Sequence, residues 1–300
     1  MMAKKPKKVP LTKSKHDWAK NRDVYLVGTQ VRVNPFYADK MAKVAMREVR
    51  KMHLDVSKQI KELFKEDLAK EVIQDIAMDA SLTSRARILT NKLASEWNKR
   101  FNLFSKDFSA ALFRDVESMT AKDLQESMKK LSGGLTIDTS KITPATREII
   151  AAGTQQSSSL IESISRDYLS DVQEAIMRSI SSTGVSYTDT VKQIDSMLQG
   201  RFKVYKNKAK NVTLDQTRKA YANITDSRMR SVGVTKYRWR HAGGSSEPRP
   251  LHKNVLNGQV FSLDDPPIID EKTGERGHPG QAINCKCYRE PVLEFGNPEG

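Results

Sequence analysis

The hydrophobic residues of this chain keep one period through residue 232 and then change it. Tyr37, Met41, Val44, Val49, Met52, Val56, Ile60 and Leu63 recur at three-, four- and five-residue steps, the stripe of a long amphipathic helix. Leu89, Leu93, Trp97, Phe101, Phe104, Phe108 and Leu112 step by fours and one three, and that aromatic stripe reads as core packing. After Gly233 the segment Val234–His241 alternates instead. Tyr237, Trp239 and His241 share one face and Lys236, Arg238 and Arg240 the other, the pattern of a strand with one packed face. A chain that changes period in this way is α+β: a long, mostly helical N-terminal and middle region followed by a small loop-rich β C-terminal domain. The expected divisions are a basic disordered arm over 1–33, a helical domain over 34–232 and a β-rich domain over 233–300.

Local signals place the helix ends. Asn34-Pro35 and Thr143-Pro144 read as starts, each a cap followed by proline in the first turn. Thr120 with Asp123 resembles a capping box and predicts a new short helix there, closed by Gly133-Gly134. Leu160, Ile164, Val172, Ile176 and Ile180 mark a further helix closed by Gly184. Val191, Ile194 and Leu198 mark one closed by Gly200, and a last helix runs from about Val204 to Val232, ending at Gly233. No internal repeat is detected. Seven of the eleven prolines lie beyond residue 245, which makes the end of the chain loop-rich. Within it, Asn257-Gly258 between Val255-Leu256 and Val260-Phe261 predicts a type I′ hairpin.

Composition narrows the class. With 38% hydrophobic and 29% charged residues over 300 positions, the chain is globular. No stretch approaches the roughly 18 apolar residues of a membrane span, and no apolar run follows the basic N-terminus as in a secretory signal. Two cysteines do not make a disulfide scaffold and suit a reducing compartment.

The net charge of +15 is uneven. Residues 1–32 hold nine Lys/Arg against two Asp, and residues 201–240 hold twelve against two. Lys4, Lys5, Lys7 and Lys8 in the arm, with Arg218, Lys219, Arg238 and Arg240, are the candidate contacts for DNA or an acidic partner. The bland alternatives are a solvated tail and an exposed helical face.

The last 68 residues hold three of the five histidines and both cysteines. Thiolate and imidazole are zinc ligands, and a small loop-rich domain gains from such a staple. The candidate site is a structural Zn²⁺ on His252, Cys285 and Cys287, with His278 as a further ligand. The competing reading is two packed thiols with His252 hydrogen-bonded in the β core. A Cys285–Cys287 disulfide would be strained by so short a ring. Enzymatic readings are a metal-dependent nuclease using His252 and Asn254, or a Cys285 nucleophile with His252 as base. Neither has a complete motif, and no Gly-rich phosphate loop occurs, so no catalytic residue and no small-molecule substrate are expected.

An ordered series runs through residues 214–295. Asp215-Gln216-Thr217-Arg218-Lys219 precedes Gly233-Val234 and Tyr237-x-Trp239-Arg240. Arg249-Pro250-Leu251-His252 and Leu256-Asn257-Gly258-x-Val260-Phe261-Ser262 follow, then Asp264-Asp265-Pro266-Pro267. Last come Gly277-His278-Pro279-Gly280-x-x-Ile283-Asn284-Cys285-Lys286-Cys287 and Glu290-Pro291-Val292. This order resembles the head-morphogenesis proteins of tailed bacteriophages, the Mu F-like minor head proteins. Lys286 stands where the family usually has Arg, which keeps charge but not the planar fork. Gly243-Gly244-Ser245-Ser246-Glu247-Pro248 replaces an Asp-rich turn. The resemblance implies a virion component inside the capsid, near the portal protein, made in the host cytoplasm and acting in head assembly. It implies contact with packaged double-stranded DNA, no membrane association and no catalysis, with the His/Cys pattern as a fold staple. The rival classes are the nuclease or toxin-like enzyme and a free DNA-binding protein.

Overall fold

The computed structural model describes residues 25–71, 82–131, 137–181, 187–243 and 248–294. Among them are four long helices: α1 (Pro35–Glu71), α2 (Leu82–Leu131), α3 (Pro144–Ser181) and α4 (Tyr187–Ser231). The strands are β1 (Tyr25–Val27), β2 (Lys236–Arg240), β3 (Val260–Ser262) and β4 (Tyr288–Glu294), with a one-turn π-helix at Leu251–Val255. The fold class is α+β. Lys4, Lys5, Lys7 and Lys8 lie outside the described residues, as do Gly133-Gly134 and Gly184.

The helices are fewer and longer than the sequence predicts. Thr120 and Asp123 lie inside α2, because both side chains serve partners on α4 instead of capping. The Thr120 hydroxyl donates to the Glu117 carbonyl at 2.8 Å and accepts from Arg228 Nε at 3.3 Å, while Asp123 accepts from the Tyr221 hydroxyl. The helix expected from Thr143-Pro144 and the stripe from Leu160 onward are one element, α3, and Thr143 Oγ1 caps it by accepting from the Thr146 amide at 3.2 Å. Gly200 does not close a helix; it sits exposed within α4. At Gly233 the predicted stop is real. Its φ of 78° is a left-handed conformation that glycine adopts without a Cβ clash, and the Val234 amide then donates to Met229 O at 2.9 Å.

By contact the chain forms two compact units, which follow a different partition from the expected one at 33/34 and 232/233. One unit comprises Phe36–Ala111 and Thr154–Leu214. Its core holds residues of the predicted stripes, Val49, Met52, Val56 and Ile60 of α1 with Leu93, Trp97 and Phe101 of α2, Ile164 of α3 and Leu198 of α4, all buried, joined by Phe64, which is buried where the stripe predicted the half-buried Leu63, and by Tyr168. The Trp97 indole donates to Asp55 Oδ2 at 2.7 Å, and His53 pairs with the Tyr168 hydroxyl at 3.0 Å.

The other unit takes in the described residues of Met1–Pro35, Leu112–Gly153 and Asp215–Gly300. Here the sheet runs in the order β1-β4-β2-β3, antiparallel throughout. Residues 25–27, expected in the disordered arm, form the edge strand β1, with Leu26 opposite Leu293, and Val31 bridges Arg289. The Asn257-Gly258 hairpin does not form, because Val255 ends the π-helix and β3 pairs with β2 instead. That Asn-Gly turn docks on β2: Gly258 N donates to Trp239 O at 2.8 Å, and His241 N donates to Asn257 Oδ1 at 3.0 Å. Tyr237 and Trp239 are fully buried, as their alternation predicts, against Leu124, Met128 and Leu131 of α2, Met229 of α4, Leu256, Leu263 and Ile269.

Candidate functional site

Beneath β2 lies a buried polar knot. His252 is carried on the π-helix, whose wider turn is closed by the Leu256 amide donating to Leu251 O at 3.0 Å. Trp239 of β2 meets the imidazole edge-on at 5.1 Å between centroids. The two cysteines arrive on the loop that leads into β4. Asn284, just before them, adopts a φ of 57°, and its amide donates to Asp215 Oδ1 at 2.8 Å. This turns the chain so that Cys285 and Cys287 both face inward. The result is that His252 Nδ1 lies 3.6 Å from Cys285 Sγ and 3.7 Å from Cys287 Sγ, with the three residues 2%, 4% and 8% exposed. Nε2 of the same ring is 2.9 Å from the Ile269 carbonyl.

Electrostatics within the trio are asymmetric. The hydrogen bond from Cys287, more than that from His252, holds the Cys285 thiol well below its ordinary range against the cost of burial. Cys287 is pushed up by Cys285 and by burial. Burial opposes a charge on His252, yet the Cys285 sulfur and the Ile269 carbonyl outweigh it and raise the imidazole. The trio can therefore hold a thiolate beside an imidazolium, or give its three donors to a metal ion.

His278 is not part of this trio. Its Nδ1 pairs with the Tyr237 hydroxyl at 2.9 Å, and burial, then the Arg230 charge, lowers it to about 4. It organises the loop instead: Gln281 accepts from the His278 amide at 2.7 Å and donates to Asn223 at 2.8 Å. Gly280, at a φ of 90°, brings the loop onto α4, where a Cβ would stand 3.3 Å from Ala222 Cβ. Pro279 O accepts from Arg289 at 2.7 Å.

The basic candidates that are described mostly face acids. Lys219 pairs with Asp215 at 2.9 Å, and Glu290 receives Arg240 at 3.4 Å and Arg238 at 3.8 Å. Arg218 is partly buried on α4. Sequence reasoning missed the charges at the centre of the unit. Arg289 is buried and paired with Asp226, with burial lowering its pKa to about 9, so it stays charged at neutral pH. Arg228, also buried, binds Glu117 and the Thr139 carbonyl. The alternation of β4 could have turned Arg289 inward with Pro291, but no local signal names Asp226, 63 positions earlier, as its partner.

These features define a mainly helical protein whose small antiparallel sheet is knotted by buried His, Cys and Arg side chains. Residues 170–289 match the family described as phage Mu protein F like protein, which bears out the resemblance read from residues 214–295. A Haemophilus influenzae protein described as uncharacterized is 30% identical over 151 residues, 50% of this chain. The chain spans about a third of the length of that relative, the aligned part being 31% of it. No solved structure matches the chain.

Proposed function

We propose that the chain is a minor head protein of a tailed phage, located inside the capsid near the portal and acting in head assembly. The match of residues 170–289 to the Mu F-like family carries this reading. The protein would be made in the host cytoplasm and retained in the virion. No described helix is long and apolar enough to cross a membrane. Contact with packaged DNA would fall to the N-terminal lysines and to Lys203, Lys206 and Lys210, which are exposed on α4 at helical spacing, since Arg238, Arg240 and Lys219 are engaged with acids.

The role is structural and not catalytic. A nucleophile or general base must reach its substrate, and Cys285 and His252 are buried with both ring nitrogens of His252 engaged. Mass spectrometry of purified virions and procapsids is expected to find the protein, and a portal pull-down to retain it. Absence from both particles, or plasmid cleavage with Mg²⁺, Mn²⁺ or Zn²⁺ that disappears in His252→Ala, overturns the proposal.

A further inference from the structure

Two sulfurs stand at nearly the same distance, 3.6 and 3.7 Å, from a single imidazole nitrogen. A neutral ring nitrogen has one lone pair in the ring plane and accepts one thiol hydrogen well, not two. A shared centre accounts for both distances. A tetrahedral zinc with Zn–S of about 2.3 Å and Zn–N of about 2.0–2.1 Å sets sulfur and nitrogen about 3.6 Å apart. The three donor atoms all lie within 4.8 Å of one another.

The surroundings are those of a ligand set. The Ile269 carbonyl, 2.9 Å from Nε2, fixes the hydrogen on that nitrogen and leaves Nδ1 as the donor to a metal. Metal binding ionises both thiols, and a dication with two thiolates and a neutral imidazole makes the buried group electrically neutral.

We propose that His252 Nδ1, Cys285 Sγ and Cys287 Sγ bind one Zn²⁺ as a staple of the β module, with His278 outside the ligand set. Two sulfurs and an imidazole select zinc over magnesium or calcium, and the fourth tetrahedral position falls to an exogenous donor. The ion ties the π-helix to the strand-leading loop, two irregular segments with few ladder hydrogen bonds of their own. The inference is independent of the role in the phage head.

The test uses the full chain, purified with neither added metal nor chelator. Elemental analysis is expected to give about one Zn per chain. Cys287→Ser and His252→Ala should lose at least nine-tenths of it, and His278→Gln should keep it. Because the first two variants can fail to fold, Co²⁺ is also titrated into the chelator-treated wild type, where a thiolate-to-cobalt charge-transfer band and tetrahedral ligand-field bands are expected. A folded, metal-free wild type whose reduced thiols give no such band overturns the proposal. So does a folded His278→Gln that has lost its zinc.

Discussion

The unit built on Phe36–Ala111 and Thr154–Leu214 and the unit that carries the sheet bury different chemistry. In the first, the buried polar side chains among the described residues are Ser and Thr, with His53 as the exception. Several of these hydroxyls are satisfied close at hand: Thr90 donates to the Ala86 carbonyl at 2.9 Å, and Ser105 meets Ser158 at 2.9 Å. The second buries Asp226, Arg228, Arg289, His252 and His278 around a smaller apolar cluster. Long helices satisfy their own backbone and need only an apolar stripe. A sheet of short strands joined by loops lacks that supply, so side chains with specific partners hold it.

The contrast is most exposed at Arg289. Removing it strands Asp226 without its buried counter-charge, and Arg289→Ala should cost about 3–5 kcal/mol in urea denaturation followed by Trp239 fluorescence. Replacing both partners, Arg289→Met with Asp226→Leu, should recover most of that loss. A single-variant cost below about 1 kcal/mol would erase the distinction between the units.

Acid should act on the sheet-bearing unit next. His278 is lowered to about 4 by burial and then Arg230, so the unfolded chain binds more protons between about 4 and the ordinary 6.5. The stability this group confers is complete above the upper value and declines as pH falls through the window, by about 3 kcal/mol in total. Unfolding midpoints at pH 7 and 4.5 should therefore differ more for the wild type than for His278→Gln. An equal difference sinks the assignment.

The smallest effect belongs to the helical unit. Met52→Leu, a buried swap of similar volume, should cost less than about 1.5 kcal/mol by thermal or urea unfolding, since the site demands shape but no partner. A larger loss would show that this core is as exacting as the knot.

The same contrast governs what could be read from the sequence. Periodicity is local, so the stripes through Val49–Ile60 and Leu93–Phe108, the alternation of Tyr237 and Trp239 and the stop at Gly233 were legible. The trio of His252, Cys285 and Cys287 was legible because few residue types share that chemistry. Caps and turns misled where tertiary contacts compete. Thr120 and Asp123 look like a helix start but are claimed by Arg228 and Tyr221, and Asn257-Gly258 looks like a hairpin but docks on β2. Pairings across long separations, Arg289 with Asp226 and β1 with β4, left no local trace.

The pairing of β1 with β4 bears on how the protein can be divided. The family-matched stretch, 170–289, stops two residues into β4 and contains neither β1 nor the tail of α2 that covers the sheet. An excised fragment with those bounds would present β2 with unpaired amides and carbonyls along one side, an open invitation to aggregation or strand exchange. Expression of the recognisable segment by itself would then report on its missing neighbours more than on its own activity.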